Sequence, residues 1–369
     1  MKILVTGGAG FIGSHLVTLL LERGDDVVVL DSLEPQVHDG IGYEPPAGVT
    51  FVEGSVGDAA AVDRALDGVD GVVHLAAAVG VGQSMYEIAR YVNVNTMATA
   101  AFLEALIARD RRPRRLVVAS SMSIYGEGEY ECPSHGAVAP PPRPESQLEE
   151  RRWECLCPIC AAELSPMPTR ETKQLIPTSV YAITKRDHEE LCLVTGAAYG
   201  IPTVALRFFN VYGPGQALSN PYTGVAAIFS SRLLNGRQPL VFEDGRQSRD
   251  FIHVSDIVQG IVCALESEDA VGEAVNLGTG HQISINEVAA MLGDGLGVDV
   301  DPLRPGTFRA GDVRHCYADP SKAERLLGWR AAVRLEQGVG DLVDWVRTQT
   351  ATDRVDDATS ELAVRGLAR

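Results

Sequence analysis

The sequence predicts an α/β fold: a doubly wound parallel sheet with a smaller C-terminal lobe and a cysteine-rich insertion. Two observations carry this. Through the first 121 residues, short apolar runs alternate with amphipathic helical segments. Strands that read as nearly continuous apolar runs belong in a parallel sheet covered on both faces. Residues 127–178 then break the rhythm with prolines and clustered cysteines before it resumes. "KILVTG" (2–7) opens as a strand, and "FIGSHLVTLLLERG" (11–24) follows as a helix that stops at a glycine. Further strands are read at 26–31, 49–54, 71–77 and 115–121, with helices between them. Past the insertion come a helix at about 179–199 and the strand-to-loop run "PTVALRFFNVYG". Helices follow near 223–235, 255–266, 284–293, 320–327 and 335–347. Residues 1–185 thus form one domain that carries the insertion, and 186–350 a second lobe interleaved with its sheet. The polar, weakly patterned stretch 351–369 reads as a mobile tail.

Composition narrows the function classes. A chain of 369 residues, 45% hydrophobic and 22% charged, suits a soluble enzyme-sized fold. A net charge of −17 argues against nucleic acid and anionic membranes as partners. A phosphate-bearing ligand would need local arginines or helix N-termini. The first strand begins at Lys2, leaving no room for a signal peptide, and no apolar run nears the ~20 residues of a membrane span. A cytoplasmic location is expected, where structural disulfides are rare.

"TGGAGFIGSH" sets Gly7, Gly10 and Gly13 between a strand and a helix, with Phe11 and Ile12 opening that helix. Glycines there permit a tight turn and close approach of a pyrophosphate to free N–H groups at a positive dipole end. Asp31 ends the next strand at the right distance, followed by Ser32. A carboxylate there accepts from both ribose hydroxyls and repels a 2′-phosphate, so the reading is a Rossmann-type site for NAD rather than NADP. Asp58 starts a later helix: it is either an N-cap or a contact to adenine.

"YAITK" places Tyr181 and Lys185 four residues apart on one helix face. "ASSMSIYG" brings Ser121 and Ser123 to the carboxyl edge of the sheet. Tyrosine, with a pKa near ~10, is a poor base unless a cation favours its phenolate. Tyrosine as proton acceptor, lysine as cation and serine as hydrogen-bond partner make a set suited to carbinol chemistry.

With these motifs, "VVHLAA", "RFFNVYGPGQ", "GRQSRDFIHVSD" and "RAGDVRHCYADPSKAERLLGW", the chain resembles the extended short-chain dehydrogenase/reductases, in particular the nucleotide-sugar epimerases and dehydratases. The resemblance spans about residues 1–349 apart from the insertion. It implies Ser121, Tyr181 and Lys185 as the catalytic set, with His74, Ala76 and Asn95 along the cofactor. It implies a nucleoside-diphosphate sugar as substrate, touched by Ser121, Ser123, Asn210 and Val225. Arg249 and Arg309 would grip its phosphates and Asp312 its ribose, as guanidinium forks suit a diphosphate in an acidic protein. A salt bridge from Arg249 to Asp250 or Asp244 is the alternative role. Helices near 93–109 and 179–199 resemble those that pair in family homodimers.

Dehydratases of that family carry Asp-Glu after the catalytic hydroxyl residue. Here Met122 and Ser123 stand there, and neither serves as an acid or base at neutral pH. What remains is NAD-dependent epimerisation at C4 through a 4-keto sugar. Decarboxylation, ketoreduction and a non-catalytic NAD sensor are the alternatives. Among relatives with a similar insertion, epimerases of dTDP-linked deoxyhexoses, dTDP-L-rhamnose above all, resemble the chain most; UDP-sugars stay open.

Four of the seven cysteines lie between Cys132 and Cys160. Cys132 and His135 form one C-x2-H turn, and Cys157 and Cys160 a C-x2-C turn after a 21-residue spacer. Two chelating turns give a Cys3His set, the composition of a closed structural zinc site. Cys155 falls outside that spacing. A redox pair would need a thioredoxin-like unit, absent from this pattern. A zinc staple suits a proline-rich insertion with little apolar material, and its place between Tyr125 and Tyr181 puts it beside or over the sugar pocket.

Overall fold

The structure, a computed structural model, describes residues 1–38, 42–299, 301–309 and 311–369. Seven strands make one sheet: β1 (Lys2–Thr6), β2 (Asp26–Asp31), β3 (Val49–Glu53), β4 (Gly71–His74), β5 (Arg115–Ser121), β6 (Thr203–Phe208) and β7 (Ala274–Leu277). Their order is β7-β6-β5-β4-β1-β2-β3, and every pairing is parallel. Successive residues serve opposite faces. Ile3, Val5, Val29, Val73 and Val117 enter one core, while Leu4, Val28, Val72, Leu116 and Val118 enter the other. That double burial is why each strand reads as an unbroken apolar run. Strand order reverses between β1 and β4, which opens a crevice at the carboxyl ends of the strands.

The second lobe has its own core, where Tyr212, Phe229, Leu292 and Leu342 pack among the helices Val225–Leu234, Ile285–Leu296 and Leu335–Val346. The insertion folds as a three-stranded antiparallel sheet, Gly136–Val138, Glu129–Cys132 and Ser165–Met167, with a short helix Glu145–Glu149. Its core is small: Tyr130, Cys132, Cys155, Cys157 and Leu164.

Part of the stretch expected as a mobile tail is helical. Residues Val355–Val364 form a helix with Val355, Ala358 and Leu362 buried. These sit at i, i+3 and i+7, a stripe of three apolar side chains that a polar composition hides. Asp356 pairs with Arg232 at 2.6 Å, and the Phe308 N–H donates to the Arg369 carbonyl at 2.7 Å. The tail is fastened along the rim of the crevice.

Candidate active site and metal centre

One cleft of about 900 Å³ runs along the crevice. At one end lie Gly7, Gly10, Phe11, Ile12 and Gly13. A Cβ on Gly7, at φ +71°, would stand 2.8 Å from the Ala76 nitrogen, and one on Gly13 would stand 2.2 Å from the Gly7 carbonyl oxygen. The helix Phe11–Glu22 starts at Gly10 with no side-chain cap, so its first N–H groups are free for a phosphate. Asp31 and Ser32 line the same end. The Asp31 carboxylate is oriented by N–H donors from Ala9 (3.0 Å) and Leu33 (2.9 Å). An open cradle, uncapped amides and an oriented carboxylate fit a dinucleotide.

Three of the residues expected along the cofactor are not among those that line the cleft. Asp58 caps the helix Ala59–Ala65, accepting from the Ala60 N–H at 2.9 Å, and is not among the cleft-lining residues. His74 is wholly buried between Thr6 (2.7 Å) and Thr99 (3.0 Å), and burial pulls its pKa down to about 3. Asn95 is also buried, in a π-helical turn Val92–Met97. It grips the Ala78 peptide, accepting from its N–H at 2.7 Å and donating to its carbonyl at 3.1 Å. Asn95 therefore shapes the cleft wall from behind, whereas Ala76 lines it directly.

Ser121, Ser123, Tyr181 and Lys185 meet in the middle of the cleft. Ser121 ends β5, and the Ser123 hydroxyl donates to Ser121 Oγ at 3.0 Å. Tyr181 and Lys185 come from the first turns of the helix Val180–Tyr199, capped by Ser179. Ser84 Oγ accepts from the Tyr181 N–H at 2.9 Å, fixing that turn. Burial pushes the Tyr181 phenol up to about 12, against a lowering hydrogen bond from Ser121. Burial also pulls the Lys185 ammonium down to about 8. His188 lies behind this pair: its Nε2 donates to the Asn95 carbonyl at 2.9 Å, leaving Nδ1 to accept from Lys185 Nζ at 3.4 Å. Cys192 is buried in the core.

Asn210, Val225, Arg249, Arg309 and Asp312 line the far end. Asp312 takes both arginines, Arg309 at 2.7 Å and Arg249 at 3.3 Å. The alternative partners of Arg249 are engaged elsewhere. Asp244 pairs with Arg314 at 2.7 Å, and Asp250 accepts N–H bonds from Thr279 and Gly280. Side-chain oxygens of Asn210, Gln216 and Gln247 are buried here without partners. Buried polar atoms left open beside two guanidinium groups fit a large polar ligand. Gln216 and Gln247 were missed, although both sit inside the motifs "RFFNVYGPGQ" and "GRQSRDFIHVSD".

Cys132, His135, Cys157 and Cys160 converge, their ligand atoms all within 4.8 Å of one another. The Cys132 and Cys160 sulfurs are 3.6 Å apart, and His135 Nδ1 lies 3.4 Å from Cys132 Sγ and 3.6 Å from Cys157 Sγ. A tetrahedron with Zn–S near ~2.3 Å and Zn–N near ~2.05 Å has edges of about 3.8 and about 3.5 Å. These three separations fit a zinc tetrahedron. Cys155 stands apart in the insertion core, its Sγ 3.4 Å from the Tyr130 hydroxyl. The insertion does not cap the cleft: of residues 127–178 only Thr178 lines it, while Glu127, Arg143 and Lys173 line a small cavity shared with Arg309 and Asp312.

The sequence matches the pattern of the NAD dependent epimerase/dehydratase family over residues 3–147 and 160–278. The chain belongs to that family. The stretch the family pattern leaves out, 148–159, holds Cys155 and Cys157, so one of the four converging donors, Cys157, is additional to it. Among family relatives, a dTDP-L-rhamnose 4-epimerase of Burkholderia thailandensis is 35% identical over 351 residues, 94% of each chain. A UDP-glucose 4-epimerase of Thermotoga maritima, solved with UDP-glucose, superposes with TM-score 0.76 at 32% identity, covering 94% of this chain and 99% of that one. A UDP-glucuronic acid 4-epimerase of Bacillus cereus, solved with UDP-glucuronic acid and NAD, gives 0.74 at 29%, with the same coverage.

Proposed function

We propose that this chain is an NAD-dependent nucleotide-sugar 4-epimerase. The observation that carries the reading is one continuous cleft joining a dinucleotide cradle, a Ser121–Tyr181–Lys185 centre and an arginine end. Among the described residues lining it, the only carboxylates are Asp31, Glu34 and Asp312, and all three belong to its ends. No acid stands beside Ser121 to expel water from a sugar, which favours epimerisation over dehydration.

NAD, which the Gly7–Gly13 turn and Asp31 would hold, would supply the acceptor and donor of hydride for C4. Tyr181 takes the C4 hydroxyl proton and later gives it back, while Ser121, oriented by Ser123, hydrogen-bonds the same oxygen. Lys185, one helical turn on from Tyr181, supplies positive charge to a site whose burial holds the phenol protonated, and His188 accepts a hydrogen bond from that ammonium. Asn210, the uncapped N-terminus at Val225, Arg249 and Arg309 hold the diphosphate, so the 4-keto ring turns without leaving.

The Burkholderia relative supports dTDP-L-rhamnose as the first substrate to test, with UDP-sugars next. The donor spacing supports a structural zinc at Cys132, His135, Cys157 and Cys160, four protein ligands leaving no open position. A homodimer is supported by Val94, Met97, Ile183 and Val194, apolar yet 39–68% exposed on two adjacent helical segments. No described helix is long and apolar enough to cross a membrane. Metal-ligating thiols support a reducing compartment, the cytoplasm.

The test is a product assay without added NAD, offering dTDP-L-rhamnose, UDP-glucose, UDP-glucuronate and UDP-N-acetylglucosamine. Proton NMR should show one of them converted to its C4 epimer with no net NADH. A 4-keto product, carbon dioxide or no turnover would overturn the proposal.

A further inference from the structure

The insertion reaches the arginine end of the cleft from behind. Arg143 is nearly buried, at 4% side-chain exposure. It donates to the Trp153 carbonyl at 2.9 Å through Nη1 and to the Asp312 carbonyl at 3.0 Å through Nη2. It also pairs with Glu243 at 2.8 Å and with Glu127 at 3.7 Å. Arg314, wholly buried, shares Glu243 at 3.0 Å and takes Glu154 at 2.5 Å. The Arg314 N–H donates to Glu127 at 2.8 Å, and its carbonyl accepts from Arg249 Nη1 at 3.1 Å. Glu127, Arg143 and Glu154 all come from the insertion, so the segment that presents Asp312 and backs Arg249 is pinned by it at several points.

We propose that Arg143 is a positioning residue for substrate phosphate binding, acting through the Asp312 peptide. The inference rests on the nucleotide-sugar reading above but not on the metal. Arg143 is not among the residues that line the main cleft. It lines a separate cavity of about 50 Å³, behind Arg309 and Asp312. By holding the Asp312 carbonyl it fixes where the carboxylate stands, and the carboxylate fixes Arg309 and Arg249. A segment ordered before the ligand arrives spares the complex the entropy of ordering it. The insertion therefore acts on substrate affinity rather than on the chemical step.

The test uses the full chain with its NAD. Arg143→Met should raise KM for the nucleotide sugar about tenfold, the factor a lost charge-assisted hydrogen bond of ~1.4 kcal/mol corresponds to. Turnover should stay within about twofold, an interaction lost equally from ground and transition states. NAD and zinc contents should not change. Arg143→Lys, with one donor centre in place of a fork, should fall between the two. The double variant Arg143→Met/Glu243→Gln removes both charges of the pair and guards against misfolding; its KM should also rise. An unchanged KM in a folded, NAD-loaded variant overturns the proposal, as does a loss confined to kcat. If the nucleotide-sugar reading itself fails, the unaltered protein turns over none of the sugars, which is a separate result.

Discussion

Replacing Cys157 by serine tests the metal centre most directly. The twelve residues Trp153–Leu164 carry two of the four donors and place only Cys155, Cys157 and Leu164 in the buried cluster. Ordering them costs about 12–24 kcal/mol at ~1–2 kcal/mol each. Burying Tyr130, Cys155 and Leu164 returns only about 5–8 kcal/mol. A structural zinc contributes about 10–16 kcal/mol, and the two gains together meet the cost where burial alone does not. Cys157→Ser should therefore lose its zinc and let this stretch open. The main sheet should stay folded, because its two cores are built from other residues. Metal analysis by mass spectrometry should give one zinc per unaltered chain and close to none in the variant. Limited proteolysis should cut the variant, and not the parent, within residues 150–165. A variant that keeps full zinc and resists protease would refute the reasoning. So would a parent chain, purified without chelator, that carries well under one zinc.

Three other outcomes are expected. Tyr181→Phe should lower turnover by about 10²–10⁴-fold while NAD content stays as in the parent, because only the proton acceptor is lost; near-normal turnover would remove Tyr181 from its role. Burial holds Lys185 near 8, below its ordinary 10.5, so its ammonium is complete below that value and lost as pH rises through it. The pH–rate profile should fall on the alkaline side near 8, and His188→Leu, which deletes the acceptor of that ammonium, should move the limb to lower pH; a flat profile to pH 10 contradicts this. Light scattering should find a dimer that Ile183→Arg splits into monomers, and a monomeric parent would sink the assignment of that exposed apolar face.

The parallel sheet was legible because both its faces are buried, which leaves an unmistakable run of apolar residues in each strand. The glycine turn, Asp31, Tyr181 and Lys185 were legible for a related reason: each has a fixed distance from an element boundary. His74 and Asn95 sit in equally recognisable motifs, yet the structure turns them inward against Thr6, Thr99 and the Ala78 peptide. A motif marks a position, and the direction of a side chain depends on the turn it stands in, here a π turn for Asn95. Arg143 gave no signal at all, since its partners Asp312 and Glu243 are more than ninety residues away in the chain. The helix Val355–Val364 was hidden by composition, three buried side chains among polar ones.

β6 and β7 follow the insertion in the chain but pair within the same sheet as β1–β5. Ser121, at the end of β5, consequently lies between strands drawn from both sides of the insertion, while Arg249 at the far end belongs to a separate small sheet, paired with Ile283 and Cys316. Under the proposed reaction, inversion of stereochemistry is motion of the guest, tethered at its phosphates and free to pivot.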